Sequence, residues 1–243
     1  MKLLVLAAGY ATRLYPLTLD RPKPLLGVAG RPLLDHLLDS VLSIGGIDET
    51  IVVTNAKFAP AFTEWARGRA DVTVVNDGTT SEDDRLGAIG DIGHVLETRD
   101  LDDDLVVVAG DNLFGSDISG FGRRVAEVAA PVLAVYDIGD LAEMSKYNQV
   151  QTDSDGRITF FEEKPQDAET TLAGIALYYY PRETLPLIRE YLAAGNNPDQ
   201  PGRLVQWLYP RIPVYTWLVP GTWYDVGSHE SLAEADAVFS RTV

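Results

Sequence analysis

Short apolar runs recur along the chain, at Leu3–Ala7, Ile51–Val53, Val72–Val75, Leu105–Ala109 and Val132–Val135. Runs of this length, rich in Val, Ile and Leu and lacking polar alternation, predict strands covered on both faces, as in a parallel or mixed sheet. Between the first two the period changes. Leu33, Leu37 and Val41, with Leu34, Leu38 and Leu42, repeat at i, i+4, i+8, which predicts a helix with one buried face that stops at Gly45 and Gly46. Further helices are predicted at about Phe58 to Arg67, Leu86 to Thr98, Gly120 to Ala129 and Arg182 to Ala193. Strands alternating with helices predict an α/β, Rossmann-like architecture. Beyond about residue 145 the pattern turns antiparallel, with a hairpin predicted around Asp155-Gly156.

Composition narrows the function. The 243 residues hold 20 Lys and Arg against 36 Asp and Glu, a net charge of −16. With 46% hydrophobic and 23% charged residues the chain is globular, and its length supports one hydrophobic core and hence one domain over residues 1–243. No run approaches the ~18 apolar residues of a membrane helix, so no membrane partner is expected. The absence of Cys removes disulfides, thiolate zinc sites and cysteine nucleophiles, and Met1-Lys2 leads into an apolar run without a signal-peptide pattern; both predict a cytoplasmic protein. Strong acidity argues against nucleic-acid binding, which needs Lys and Arg to neutralise phosphates. A phosphate ligand must therefore be met by local basic groups or a metal.

Such groups follow the first apolar run, where Thr12, Arg13, Arg21 and Lys23 stand among small residues. A loop after the first strand lies at the carboxyl edge of the sheet, where open α/β folds bind ligands. The loop is neither a Walker A segment nor a dinucleotide fingerprint. Gly9, with small Ala8 and Ala11, lets backbone amides approach a triphosphate, while Arg13 can fork onto phosphate oxygens and Lys23 supplies a point charge. Asp111 follows the Leu105–Ala109 run and projects a carboxylate at the same edge, as an Mg²⁺ ligand or as a turn or capping residue. His36, His94 and His229 lack metal-like spacing and read as surface or capping residues; the acidic stretches at 82–84 and 100–104 read as solvated loops bordering helix ends, the first being also a lesser candidate for helping to hold metal.

Gly9, Thr12, Arg13, Leu14, Pro16, Thr18, Pro22, Lys23 and Leu25 fit, in order, the pattern G-x-G-T-R-L-x-P-x-T-x-x-x-P-K-x-L. The chain thereby resembles the sugar-1-phosphate nucleotidylyltransferases, or NDP-sugar pyrophosphorylases. Ala11 replaces the second signature glycine, a change tolerated where φ is below zero. Gly110-Asp111-Asn112 is similar to the family's second signature, Trp223-Tyr224-Asp225-Val226-Gly227-Ser228 to its W-x-D-x-G-[ST] segment, and Glu162-Glu163-Lys164-Pro165 to the E-E-K-P motif of hexose-1-phosphate members.

The resemblance implies a three-layer α/β/α nucleotidyltransferase fold on a mixed, mostly parallel sheet, with residues 1–130 as the nucleotide-binding half and 131–243 as the sugar-phosphate-binding half. It implies that Arg13 contacts the β- and γ-phosphates and the leaving pyrophosphate, that Lys23 neutralises charge at the α-phosphate, and that Ala8, Gly9 and Thr12 join them around the nucleotide. Asp111 and Asp225 would hold Mg²⁺. Glu163 would accept sugar hydroxyl hydrogen bonds, Lys164 would hold the sugar phosphate, and Gly174 would let the sugar ring lie against backbone. Tyr147 occupies the place of the family's Tyr-Gly contact, with Asn148 where the glycine usually stands. Asn76 and Gly87 are the candidates for reading the base, in a loop that looks long and carries Arg85 at an unexpected place. The implied reaction takes a nucleoside triphosphate, dTTP or UTP, and a sugar 1-phosphate, glucose 1-phosphate foremost, and releases pyrophosphate; a second copy of the chain is a candidate partner. The alternatives are a cytidylyltransferase acting on phosphocholine, against which Glu163, Lys164 and Gly174 speak, and a non-catalytic nucleotide-sugar-binding paralogue, against which Arg13, Lys23, Asp111 and Asp225 speak.

Overall fold

The computed structural model describes residues 1–240. In chain order its elements are β1 (Lys2–Leu6), β2 (Gly27–Val28), β3 (Arg31–Pro32), α1 (Leu33–Leu42), β4 (Glu49–Thr54), α2 (Ala59–Trp65), β5 (Val72–Asn76), α3 (Ala88–Thr98), β6 (Leu105–Ala109), β7 (Asn112–Phe114), α4 (Ser119–Val128), β8 (Val132–Asp137), β9 (Asn148–Thr152), β10 (Ile158–Glu163), β11 (Leu172–Tyr180), α5 (Leu185–Ala193), α6 (Pro201–Leu208), β12 (Tyr215–Leu218), β13 (Trp223–Asp225) and α7 (His229–Phe239). They gather into two compact units, each assembled from separated stretches of chain. The first holds residues 1–86, 108–119 and 220–240; the second holds 87–107 and 120–219.

In the first unit β1, β4 and β5 run parallel with β4 in the middle, so that Leu4 pairs with Ile51 and Ile51 with Thr73. Leu3, Leu4 and Val5, like Ile51, Val52 and Val53, are fully buried. Consecutive strand residues point to opposite faces, so both faces are covered, which is what an unbroken apolar run encodes. A second apolar cluster, Val28, Leu33, Leu113, Val226 and Ala235, fastens α7 onto the β7 and β13 segments. In the second unit β8 pairs antiparallel with β11 and parallel with β12, while β9 and β10 form an antiparallel hairpin. The Rossmann-like α/β class with a mixed, mostly parallel sheet, expected from the sequence, is the architecture formed.

Local chemistry sets the element ends. The β9–β10 hairpin turns where expected, with Gly156 at φ +77° and the Asp153 carboxylate accepting from the Asp155 and Arg157 amides. Helix α3 starts at Ala88, later than the predicted Leu86, because Gly87 has φ +81°, outside the helical region. Arg182–Thr184 form a single 3-10 turn, and α5 begins at Leu185, where Pro186 sits in the first turn without wasting an amide. Helices α6 and α7 were not predicted. Along α7 only Ala235 is fully buried, so no apolar stripe announces it, and its capping box joins Ser228 to Ser231 where the usual signal is Glu or Gln.

Candidate active site

In the first unit the loop after β1 is held from beneath. The Ala7 amide donates to Val53 O, and the buried Asn55 side chain donates to Ala8 O at 2.8 Å while accepting from the Phe58 amide. Ala11 then adopts φ 48°, ψ 44°, and a 3-10 turn, Thr12–Leu14, follows. The sequence expectation of a negative φ at Ala11 is corrected: the backbone here is left-handed, the conformation glycine takes most easily. Two groups hold it there. The Ala11 carbonyl accepts from the Leu14 amide at 3.0 Å and from the buried Thr18 hydroxyl at 2.8 Å. The turn lifts Thr12 and Arg13 into solvent while Leu14, 1% exposed, plugs the core beneath them.

Lys23 opens a second 3-10 turn, and its Nζ lies 2.5 Å from Asp111 Oδ2, with both side chains mostly buried. Asp111 lies between β6 and β7, after Gly110, where a Cβ would stand 2.9 Å from the Pro24 ring. Strand β13 pairs antiparallel with β7, Asp225 opposite Asn112, and the Val226 amide donates to Asp111 O at 3.0 Å. This register brings the Asp225 and Asp111 carboxyls close enough for each to shift the other's acidity. Lost hydration pushes the Asp225 carboxyl up to about 6, aided by the negative Asp111 and opposed by Lys23 and Arg13. Burial would raise Asp111 too, but the charge and hydrogen bond of Lys23 hold it below the ordinary carboxylate range. Arg13 completes the group, its guanidinium 3.7 Å from where a Cβ on Gly227 would stand.

A pocket of about 270 Å³ is lined by Gly9, Thr12, Arg13, Lys23 and Asp111, by Glu82, and also by Tyr10 and Arg85, which had been given no role at this site. Ala8 is buried and does not line it, and neither does Asn76, which caps a turn by accepting from the Gly78 amide. The chemistry of the donors suits Mg²⁺: two adjacent carboxylates are hard oxygen ligands, and no third His, Cys, Asp or Glu joins them among the described residues. Two carboxylates are too few for an all-protein cage and enough for an ion that keeps waters and binds substrate phosphates.

The second unit carries the remaining candidates. Lys164, at the end of β10, has φ 53°, and its amide donates to Tyr147 O at 2.9 Å. Of the paired glutamates, Glu162 is engaged by the Gln149 side chain at 2.7 Å. Glu163 is not: its Oε2 is buried with no hydrogen-bond donor, and burial pushes its carboxyl up against the pull of Lys164 and Arg203. Gly202, in the first turn of α6, makes room for it; a Cβ there would stand 1.9 Å from Glu163 Oε2. Asn148, unexpected from the sequence, bonds both backbone groups of Gly174, accepting from its amide at 2.6 Å and donating to its carbonyl at 3.0 Å. A Cβ on Gly87 would meet the Asp199 backbone at 2.6 Å at a φ of +81°, so packing and conformation demand that glycine, whereas a Cβ on Gly174 would press on the end of the Leu133 side chain at 2.7 Å. His36, read as a surface or capping residue, is instead buried and bonds Val28 O through Nε2, whereas His229 opens α7 beside Tyr15 O.

The nucleotidyl transferase family model matches residues 2–241, and the chain belongs to that family. It is 30% identical to glucose-1-phosphate thymidylyltransferase of Mycolicibacterium smegmatis, with 100% of this chain and 83% of that protein covered. It is 27% identical to UTP–glucose-1-phosphate uridylyltransferase of Synechocystis, covering 93% of this chain but spanning only 60% of that relative's length. The crystal structure of UDP-glucose pyrophosphorylase complexed with UDP-glucose superposes with a TM-score of 0.82 at 21% identity, covering 100% of this chain and 99% of that one, and so shares the fold. Among the described residues no helix is long and apolar enough to cross a membrane.

Proposed function

We propose that this protein transfers a nucleoside monophosphate from dTTP or UTP to glucose 1-phosphate, in the cytoplasm, releasing pyrophosphate and a nucleoside diphosphate sugar. The observation that carries the reading is the convergence of Arg13, Lys23 and Asp111 on one small pocket lined by the loop after β1. A sugar phosphate is already an anion at neutral pH, so its oxygen can attack the α-phosphorus without a general base. The new P–O bond forms as the bond from the α-phosphorus to the bridging oxygen breaks, and pyrophosphate leaves. Catalysis then rests on alignment and charge neutralisation. Arg13 stabilises the departing pyrophosphate and Lys23 the charge gathering at the α-phosphoryl group. Asp111 and Asp225 would hold Mg²⁺, which when bound supplies further neutralisation of phosphate charge. In the second unit Glu163 offers its carboxylate to sugar hydroxyls and Lys164 its ammonium to the sugar phosphate.

Pyrophosphate release, measured with Mg²⁺ and glucose 1-phosphate against dTTP, UTP, CTP, ATP and GTP separately, tests this reading. Release with dTTP or UTP is the expected result. Silence with the sugar phosphate and release with CTP and phosphocholine would overturn it.

A further inference from the structure

Arg31, Arg67, Arg69, Arg124 and Arg182 each rest on a carboxylate. In the second unit Arg203 and Arg211 form no such pair among the described residues. Arg203 donates through Nε to the Gln200 amide oxygen at 2.8 Å, and Arg211 through Nη1 to the Trp207 carbonyl at 2.6 Å, with its guanidinium 3.9 Å from the centre of the Trp207 ring. In a chain of net charge −16, both of these cations, held only by neutral oxygens, line one pocket of about 310 Å³. Local structure places them there. Positions 203, 207 and 211 are four apart, which sets Arg203 and Trp207 on one face of α6 and carries Arg211 into the turn beyond it, where its amide donates to Leu208 O at 2.8 Å. Asn196 and Asn197, past the end of α5, and Gln206 add amide groups to the lining. Gln206 also reaches the hairpin, its Oε1 accepting from the Glu163 amide at 3.4 Å.

We propose that this pocket binds a phosphorylated polyol or sugar and, resting on the reading of Glu163 as the sugar acceptor above, that Gln206 carries its occupancy to the sugar site. A guanidinium bonded to a carbonyl keeps its charge unanswered, whereas a phosphate neutralises it and accepts two of its N–H groups at once. The volume lies at the small end of ligand sites, which run from roughly 300 to 1,000 Å³. Arg211 covers a face of Trp207 and Tyr191 packs T-shaped against the same ring, so the aromatic wall offers a nucleobase little to stack on. The amides of Asn196, Asn197 and Gln206 supply donors and acceptors together, which suits hydroxyl groups. A ligand that recruits the Gln206 amide releases the Glu163 amide, and one that draws Arg203 removes a positive charge that favours ionised Glu163. Both make Glu163 a poorer acceptor, so occupancy weakens binding of the sugar phosphate.

Calorimetric titration of the full chain with glycerol 3-phosphate tests the site without turnover, with inorganic phosphate and glycerol as the two halves of the ligand. Saturable binding, tighter for the ester than for phosphate, is the expected result. Arg211→Ala and Arg203→Ala are each expected to weaken it about tenfold, the usual worth of one hydrogen bond to a charged group, and Arg203→Lys by less. Arg211 is exposed, so its loss leaves the fold intact. In turnover, glycerol 3-phosphate is expected to raise KM for glucose 1-phosphate about fivefold in the wild type, the low end of coupling between sites, and not in Arg211→Ala. Gln206→Met is expected to start from a raised KM and to respond no further. No saturable binding, binding that both alanine variants leave unchanged, or equal affinity for the ester and for inorganic phosphate overturns the site. A rise in KM that persists in Arg211→Ala is competition at the catalytic site and overturns the coupling, as does no rise at all. A chain that binds the ester as expected but turns over no sugar phosphate overturns the parent reading instead.

Discussion

The two units treat their polar groups differently. Around the pocket of the first, charged side chains answer one another: Lys23 with Asp111 and Arg85 with Glu82. In the second, the neighbours of Glu163 are bonded, Glu162 by Gln149 and the Glu163 amide by Gln206, while Glu163 Oε2 is buried without a donor. A phosphate site can be built from groups that trade partners, since a cation held by a carboxylate can turn to a phosphate instead. Hydroxyls are recognised by direction, and an acceptor is most selective when packing fixes it and nothing else satisfies it.

The largest test of that contrast removes one carboxylate from each unit. Asp111→Asn is expected to cut turnover by on the order of 10²- to 10³-fold, as loss of a preorganised charge contact does. It also leaves Lys23, 16% exposed, without its counter-charge, so some stability goes with it. Glu163→Gln keeps the shape but weakens the acceptor, and is expected to raise KM for glucose 1-phosphate about tenfold while nucleotide affinity holds. Near-wild-type turnover for Asp111→Asn with an unchanged circular dichroism spectrum would abolish the asymmetry between the units.

Gly202→Ala is the next sharpest change. Its Cβ collides with the flexible end of Glu163 and not with backbone, so the fold survives and the carboxylate moves. KM for the sugar phosphate is expected to rise by about tenfold, given how steeply misplacement is felt at a reacting complex. Shortening the displaced side chain, by adding Glu163→Asp to Gly202→Ala, should recover part of that loss. If Gly202→Ala leaves KM unchanged, Glu163 is not held by this contact.

Acidity gives a third handle. The Glu163 carboxyl lies above its ordinary 4.5 because burial disfavours the charge. The folded chain therefore binds this proton more tightly than the unfolded one, and stability attributable to Glu163 falls as pH rises from 4.5 through the raised value. Function runs the other way, since only the ionised form is a full acceptor: KM for glucose 1-phosphate is expected to climb on acidification sooner than an ordinary glutamate would make it. Titration of KM and of Tm between about pH 4 and 8, in wild type and Glu163→Gln, reads both slopes, and both should flatten in the variant.

How much of this lay open in the sequence depended on how local each cause is. Strands β1, β4 and β6 were legible because burial on both faces leaves an unbroken apolar run. The loop that carries Arg13 and Lys23 was legible because its residues stand close together in one order. Helix α7 was not, because it buries little and its cap uses Ser231. Nor was the room that Gly202 makes for Glu163, which exists only once α6 packs on β10. Arg85 drew notice only as an oddity, since a loop's charges show what wall they line only after the loop has returned to it.

Ala11 yields the smallest expected effect and separates two causes of the phosphate loop's shape. A non-glycine residue in the left-handed region costs about 1–2 kcal/mol, which Ala11→Gly would relieve. Glycine also loosens the unfolded chain, which costs about 0.5–1 kcal/mol. The difference is a gain of between zero and about 1.5 kcal/mol, or a rise in Tm of at most about 3–6 °C for a chain of this size. Nucleotide affinity should hold, because Thr18 and Leu14 bond the Ala11 carbonyl whichever residue supplies it. Thr18→Val, in contrast, removes one of those bonds within a buried site, and is expected to lower Tm while weakening nucleotide binding. Should Ala11→Gly lower Tm and Thr18→Val leave it alone, the loop owes its turn to residue 11 and not to the hydrogen bonds that close around it.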